Sequence, residues 1–551
     1  MAPNRWTAVL VLAILAAGAG GTWWTVRRAD GEMRADLLAQ SRRVAQGLNL
    51  IRVAALGGTD CDEGSPTYQR LRAGLVLVGQ ASDQVQSLYL LGRRQDATVF
   101  VIADSAPSDS GRARRPEPSY AGPTATVLRV FATDQAVVDG PAADRGGVWM
   151  RAYVPVSDPW SDAVLAVFGM DVDARAWNRE LARAALLPVL LTLLLASASL
   201  AAAALLARRR RAADWPPWLR HVETGWVVAA GLLLTIFAAR TACTHETHGR
   251  GSTFAQLADS ETERVAKVLR DLNEFELKGL AKFCEHAETV TAEEFRSYAE
   301  PLTANPAVQA WEWVPVVAGP ERASFERAAV ASGLAGFECW ERDSSGRRVP
   351  AARREVYYPV LHVVPQAANE AAVGYEVGSE PVRRTTLDSA ARTALGTATA
   401  PITLVQETGN QKGMVIFRAA YTPGTATVRG FAVAVLRMGT LLENVQESSA
   451  VHLELALLDG AAPPEPLASR CGASCPESSG IAVSRPVAVF GQVCLVTAHP
   501  GPDFLSRSPL RAGGLTALTG TLVTALLAGM IGVSLRRREE LKVPETQPVG
   551  V

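Results

Sequence analysis

Four apolar runs constrain this chain more than any other feature, because about twenty consecutive apolar residues in a helix cross the hydrocarbon core of a bilayer. They are Trp6 to Val26, Leu186 to Ala207, Gly225 to Ala239 and Ala512 to Leu535. The first carries Trp23-Trp24, suited to an interfacial belt, and lacks a clear small-x-small cleavage site, so it reads as an uncleaved anchor. The second ends against Arg208-Arg209-Arg210-Arg211 and the fourth against Arg536-Arg537-Arg538. The third is short and must borrow Thr224 and Thr241, with Arg240 snorkelling. Positive charge gathers on the cytosolic side of a membrane. The loop from Arg208 to Glu223 and the tail from Arg536 therefore read as inside, and Arg27 to Ala185 and about Cys243 to Arg511 as outside. Arg5 agrees with an inside N-terminus, whereas Arg27-Arg28 run mildly against this orientation.

The whole chain, 551 residues, is too long for one core. Lys+Arg 55 balance Asp+Glu 55, which gives no reason to expect nucleic acid as a partner. All seven cysteines fall outside or at the boundary in this topology, where disulfides are permitted. Cys471 with Cys475 or with Cys494 is a candidate bridge, and the odd count leaves at least one thiol unpaired. No histidine or second cysteine pair stands near Cys471-x3-Cys475 at zinc spacing, so no metal is expected there. His245 and His248 are three apart, where a metalloprotease helix needs two histidines four apart around a glutamate. Cys243 to His248 is therefore expected to be a solvated helix start.

Beyond the first span, Met33, Leu37, Val44, Leu48 and Ile51 keep one helix face apolar, as in a stalk packing on its own sensor or on a partner copy. Tyr68 begins another helical stretch. Val85 to Leu91 and Thr98 to Ala103 read as strands about the turn Gly92 to Asp96, and Asp104 to Tyr120 reads as a long loop. Strands are expected again at Val127 to Ala132, Gly147 to Val156 and Ala163 to Asp171. The loop with Trp215-Pro216-Pro217-Trp218 is too small to fold alone. After the third span, Val265, Val268, Leu272 and Phe275 form a heptad-like seam. Further on, Ala310 to Val317, Tyr357 to Val364, Ala371 to Val377, Met414 to Tyr421 and Gly430 to Leu436 read as strands. Glu321 to Glu326 and Thr385 to Leu395 read as helices, the latter with Leu387, Ala391 and Leu395 on one face.

The series Asn305-Pro306-Ala307-Val308-Gln309-Ala310-Trp311-Glu312-Trp313, Tyr357-Tyr358-Pro359-Val360, Pro365 with Asn369, Val373-Gly374-Tyr375-Glu376-Val377-Gly378-Ser379-Glu380 and Ala400-Pro401-Ile402-Thr403 resembles the CHASE domain. That domain is the extracytoplasmic ligand-sensing module of many bacterial histidine kinases and cyclases and of plant cytokinin receptors. More loosely, Val138-Asp139-Gly140-Pro141, Trp149 to Pro155 and Phe168 to Asp173 resemble Cache or PAS-like periplasmic sensors. The resemblance implies an α+β architecture of two PAS-like antiparallel-sheet sensors with stalk helices, joined to four transmembrane helices. The expected parts are an anchor (1–26), a Cache/PAS-like sensor (27–185), a span (186–207), a cytosolic loop (208–223), a span (224–242), the CHASE-like sensor (243–511), a span (512–535) and a cytosolic tail (536–551). It also implies a multi-pass protein of the bacterial inner membrane with both termini cytosolic and both sensors periplasmic.

In the cytokinin receptors an aspartate that aligns with Glu376 holds the ligand, and a threonine that aligns with Thr399 lines the pocket. The resemblance thus implies ligand-binding roles for Glu376 and Thr399, and Tyr375 and Tyr358 are further expected ligand-binding residues. The competing reading of Glu376 is an edge carboxylate bonded to backbone. Arg383 and Arg384 either hold an anion or face water, the second being favoured. Tyr120, Arg151 and Asp171 are lesser candidates in the first sensor. The sequence contains no phosphoacceptor histidine motif, no glycine-rich nucleotide loop, no cyclase signature and no paired nucleophile and base. The expectation is a receptor without catalytic activity or cofactor, working with a small-molecule ligand, the bilayer and a separate kinase or cyclase output protein, and able to pair with a second copy through its stalk helices. The alternative is the truncated input half of a sensor histidine kinase or diguanylate cyclase.

Overall fold

A computed structural model describes residues 5–47, 53, 56–57, 59–81, 85–106, 124–144, 147–158, 163–209, 221–403, 412–445, 449–460, 463–470 and 481–540. The loop expected at 104–120 (beyond residue 106), Trp215 to Trp218, Leu48, Ile51, Tyr120, Cys471 and Cys475 lie outside the described residues. Four helices are long and apolar enough to cross a membrane. These are α1 (Arg5–Gln46), α4 (Ala174–Arg209), α5 (Val222–Asp271) and α8 (Ala512–Glu540). The chain divides into two compact units, one holding 1–36, 174–253 and 506–551, the other 37–173 and 254–505.

In the first unit most apolar side chains of the four helices are exposed or half-buried, and most of the few buried groups are small or hydroxylic, Ser199 and Thr524 among them, with Trp177 the large exception. Their hydroxyls are bonded to carbonyls four residues back, which satisfies them without water. Trp177 donates to Asp30 at 2.9 Å, tying α4 to α1. Glu246 of α5 accepts from the Arg511 and Ala512 amides, both at 2.9 Å, at the start of α8. Cys243 to His248 are internal to α5, so the expected helix start is instead mid-helix, because no cap or breaker interrupts the run from Val222.

The second unit contains three substantial antiparallel sheets. The first has the order β2-β1-β5-β4-β3, with β1 Val85–Arg93, β2 Val99–Asp104, β3 Val137–Asp144, β4 Gly147–Ser157 and β5 Val164–Asp173. Alternation gives this sheet two apolar faces. Tyr89, Leu91, Val101, Tyr153 and Val167 pack with α3 (Thr124–Thr133). On the other face, Met170 receives the Ser41 hydroxyl of α1 at 3.4 Å, so the stalk helix packs on its own sensor. α2 (Pro66–Gln80) begins where Ser65 accepts from the Tyr68 amide and Pro66 occupies the first turn. The segment Val127 to Ala132, expected as a strand, is helix α3. Its buried positions Val127, Val130 and Phe131 follow helical spacing, which a short β-branched run conceals.

The expected second sensor holds two of these three sheets, besides two-stranded pairings of Val317–Ala318 with Val356–Tyr357 and of Trp340–Arg342 with Arg348–Pro350. The larger has the order β7-β6-β11-β10-β8, with β9 also on β10. Its strands are β6 Val308–Pro315, β7 His362–Val364, β8 Thr397–Ala398, β9 Ile402–Thr403, β10 Lys412–Tyr421 and β11 Val428–Arg437. The smaller has the order β13-β12-β15-β14, with β12 Val451–Leu458, β13 Glu465–Ser469, β14 Val483–Val489 and β15 Gln492–Pro500. Trp311, Trp313, Ile416 and Ala434 of the larger sheet share one core with Leu453, Leu455, Val487 and Val496 of the smaller. Leu269, Leu272, Leu277 and Leu280 of the long helix belong to the same core.

A π-helical turn, Leu272–Glu276, lies between α5 and α6 (Leu277–His286). It advances the register by one residue, turning Asn273 into the core at 1% exposure and leaving Phe275 64% exposed. The expected seam therefore keeps Val265, Val268 and Leu272 but loses Phe275.

Near this rod, Arg485 of β14 is almost wholly buried and gathers groups from two helices. Its Nη1 donates to Glu263 Oε2 and to Gln46 Oε1, each at 2.8 Å, and its Nε to Thr262 Oγ1 at 3.1 Å. Asp259 Oδ1 stands 3.6 Å from Nη2. The end of α1, the later part of α5 and the smaller sheet thus meet on one guanidinium.

Candidate functional site

On the larger sheet, the face opposite the long helix carries Ala310, Val314, Val415, Phe417, Phe431 and Val433, covered by Tyr358, Tyr375 and α7 (Pro381–Thr393) through Leu387 and Ala390. Glu312 shares that face, since it alternates with Ala310 and Val314 and stands opposite Val433 and Val363 in the ladders. It is 5% exposed, and burial pushes its carboxyl up to about 7 against the opposing pull of Arg383.

Ala371 to Val377, expected as a strand, is broken into short 3-10 turns at Glu370–Ala372 and Val377–Ser379. Gly374 between them has φ +80, and a Cβ there would lie 2.3 Å from the Glu338 carbonyl oxygen. That left-handed kink ends any ladder, and only single bridges remain, Trp340 with Tyr375 and Pro359 with Glu376. The kink turns the Glu376 side chain inward. Its Oε2 accepts from the Tyr358 amide at 2.7 Å, while the Tyr358 carbonyl accepts from the Val377 amide at 3.0 Å.

Glu376 is 0% exposed, and Oε1 has no hydrogen bond of normal geometry. Burial pushes the carboxyl up to about 7, offset by the Tyr358 amide, Arg354, the Gly378 amide and Arg384. The open oxygen faces tight surroundings, since a Cβ on Gly378 would come 2.9 Å from it. Around the carboxyl stand stacked groups. Arg384 lies 4.8 Å from the Tyr358 ring centre and Arg383 5.2 Å from that of Tyr375. Tyr375 Oη donates to Glu380 Oε1 at 2.6 Å, and Arg383 Nε to Glu380 Oε2 at 2.9 Å. Burial raises the Tyr375 phenol to about 12, so it stays a donor. Arg383 is buried at 6% rather than facing water, because its guanidinium is held between this ring and Glu380.

The fold thus brings Tyr358, Tyr375 and Glu376 together and adds Arg383 and Arg384. Thr399 is also buried, but its hydroxyl accepts from the Val415 amide at 3.2 Å and its carbonyl accepts from Gln492 at 2.9 Å. Arg70 of the first sensor bonds the adjacent turn, donating to the Gly396 carbonyl at 2.9 Å and to Thr393 at 3.0 Å. Sequence reasoning passed over Glu312, although a lone charge between Trp311 and Trp313 inside an apolar strand is a readable signal.

In the first sensor, Asp171 accepts from Tyr89 Oη at 2.8 Å and from Ser87 Oγ at 3.3 Å, with Arg151 Nε 3.7 Å away. All of these are buried. Cys284, Cys339 and Cys494 are buried thiols pushed up to about 12 by burial. Among the described residues no group of three His, Cys, Asp or Glu side chains could hold a metal ion.

Residues 288–468 match the sequence model of the CHASE domain, a match that contains Glu312, Tyr358, Tyr375, Glu376 and Thr399. No curated protein matches the chain. Among solved structures it is similar to an extracellular ligand binding receptor from Desulfohalobium retbaense, at 8% identity and TM-score 0.27 over 43% of this chain and 39% of that one. It is also similar to the ligand-binding domain of the amino acid chemoreceptor PctC of Pseudomonas aeruginosa in complex with GABA, at 11% identity and TM-score 0.25, covering 44% and 96%. A third is the ligand-binding domain of the Pseudomonas fluorescens chemoreceptor CtaA in complex with L-alanine, at 12% identity and TM-score 0.26, covering 46% and 99%. At these identities and scores nothing about ligand or mechanism transfers.

Proposed function

We propose that this chain, which carries a CHASE domain, is a membrane-bound receptor that takes a small extracytoplasmic ligand at the Glu376 cluster and passes the signal across the membrane to a separate kinase or cyclase. The membrane is the bacterial inner membrane, both termini are cytosolic, and 27–185 and 243–511 are the two periplasmic sensor parts. The observation that carries this reading is the fully buried Glu376, one oxygen of which has no hydrogen bond of normal geometry, inside the segment that matches a sensory family. A buried polar atom without a partner is costly, and a ligand N–H is the group that would relieve it. Tyr358 and Tyr375 supply ring faces, Arg383 and Arg384 hold those rings, and Thr399 fixes the far edge of the sheet. The ligand biases two packings of this cover over the sheet, and the bias reaches the spans through the stalk helices α1 and α5. A second copy would pair along those stalks, covering the exposed Phe275.

The test is a thermal shift of the full chain in nanodiscs against adenine derivatives, amino acids and carboxylates. A ligand at a hundred times its dissociation constant stabilises the folded state by about 2.7 kcal/mol, so a hit should raise Tm by several degrees. Glu376→Gln is expected to abolish that rise while leaving the ligand-free protein folded. A hit that shifts wild type and Glu376→Gln equally would place the ligand elsewhere.

A further inference from the structure

The orientation proposed above leaves arginines at the outer ends of all four apolar runs, against the usual bias, Arg27 and Arg511 among them. Arg28 follows the first run, Arg183 precedes the second and Arg240 follows the third. The structure brings all three to one cavity of about 350 Å³ among α1, α4 and α5. Leu187 and Phe237 line its apolar side, and Arg28, Arg183, Arg240 and His245 its polar side, with Glu32 as the one acidic lining residue.

Arg28 is paired with Glu32 at 2.7 Å, and Arg183 bonds Glu180. Arg240 makes no hydrogen bond or ion pair among the described residues. Snorkelling would take each arginine separately toward water or the headgroup layer, each on its own helix. It does not require three helices to deliver guanidinium groups to one hollow that also has a hydrocarbon wall. We propose that this cavity is a binding site for the headgroup of an anionic phospholipid, its phosphodiester on the arginines and its first acyl carbons along Leu187 and Phe237. Guanidinium groups bind phosphate through charge-assisted hydrogen bonds, and the basic pockets between spans that hold such headgroups on the cytoplasmic side use this same chemistry, here set at the outer ends of the runs. The excess of cations over Glu32 selects an anionic headgroup over a zwitterionic one.

The proposal rests on the helices spanning a bilayer, and a chain that failed to enter nanodiscs would overturn that reading first. For the inserted protein, thermal melts are compared in phosphatidylcholine nanodiscs and in nanodiscs containing a minority of phosphatidylglycerol. Phosphatidylglycerol is expected to raise the wild-type Tm by several degrees. Arg240→Gln breaks no ion pair, so it should fold, and it is expected to lose most of the rise. Arg536→Gln with Arg537→Gln, at the other end of α8, is expected to keep it. Native mass spectrometry should show fewer retained phosphatidylglycerol molecules on Arg240→Gln than on wild type. Equal rises and equal retention in wild type and Arg240→Gln, or loss only in the Arg536/Arg537 variant, would overturn the site. If inorganic phosphate in phosphatidylcholine nanodiscs gave the full rise, the occupant would be a free anion and the lipid assignment would fall.

Discussion

Neutralising both carboxylates around Arg485, as Asp259→Asn with Glu263→Gln, is expected to destabilise the folded part of the chain by about 3–5 kcal/mol. Arg485 is 2% exposed and sits beside two further cations. Arg43 lies 3.7 Å from Asp259, and Arg270 bonds Glu263. Burial lowers the proton affinity of the Arg485 guanidinium, and Glu263 and Asp259 offset this in part against Arg43 and Arg270. The two acids are themselves about two-fifths exposed, so losing the arginine would let them hydrate, whereas losing the acids strands a buried cation. Adding Arg485→Met to the neutralised pair is therefore expected to recover most of the loss, because a buried ion cluster replaced by an apolar side chain of similar length is close to neutral. Denaturation of the full chain in detergent reads both effects. A double neutralisation that cost under about 1 kcal/mol would mean that water reaches Arg485.

The second large effect is a stability that falls with rising pH. Glu312 and Glu376 both stand at about 7 in the folded protein against an ordinary 4.5. Between those values the folded state holds more protons than the unfolded chain, so each acid contributes stability that is fully present below 4.5 and lost as pH rises through about 7. At about 1.4 kcal/mol per pH unit, the loss comes to roughly 3 kcal/mol for each group. Arg383 faces Glu312. Arg354 and Arg384 face Glu376, with Glu380 and Asp388 beyond them bonded to Arg383 and Arg384. His362 acts in the opposite sense, since burial lowers its pKa and stability is lost as pH falls below 6.5. Glu376→Gln isolates one carboxyl from that background. Its stability relative to wild type should rise by about 3 kcal/mol between about pH 5 and about pH 8. A difference that stayed flat over this range would show that Glu376 is ionised throughout, as it would be if water reached its open oxygen.

Much of this architecture is legible in the sequence, for identifiable reasons. Apolar length alone reveals four helices long and apolar enough to span a bilayer, and short apolar, β-branched runs bounded by turn residues give Val85–Arg93, Gly147–Ser157, Lys412–Tyr421 and Val428–Arg437 to within about two residues. The failures share a cause, which is that local pattern was overruled by a single backbone event or by tertiary context. Gly374 turns an apparent strand into two turns and thereby buries Glu376. A π turn removes Phe275 from a seam that its spacing supports. Val127, Val130 and Phe131 fit a strand and a helix equally well until the sheet beneath them selects the helix. The division of the second sensor into two main sheets depends on register between distant segments, Val451–Leu458 with Gln492–Pro500, which no local pattern encodes. At the candidate site, the family resemblance supplied Glu376 and Thr399, Glu312 was signalled by its place between Trp311 and Trp313, and the buried Arg383 needed the fold.

Hydrogen exchange of the full chain, with and without a stabilising hit from the ligand panel, tests the central claim most directly. The account predicts slowed exchange in the backbone that shapes the cluster, residues 356–384 and 414–436, with little change in 85–104 and 147–173. Protection confined to the first sensor, or none within 356–384 despite a clear thermal shift, would contradict it.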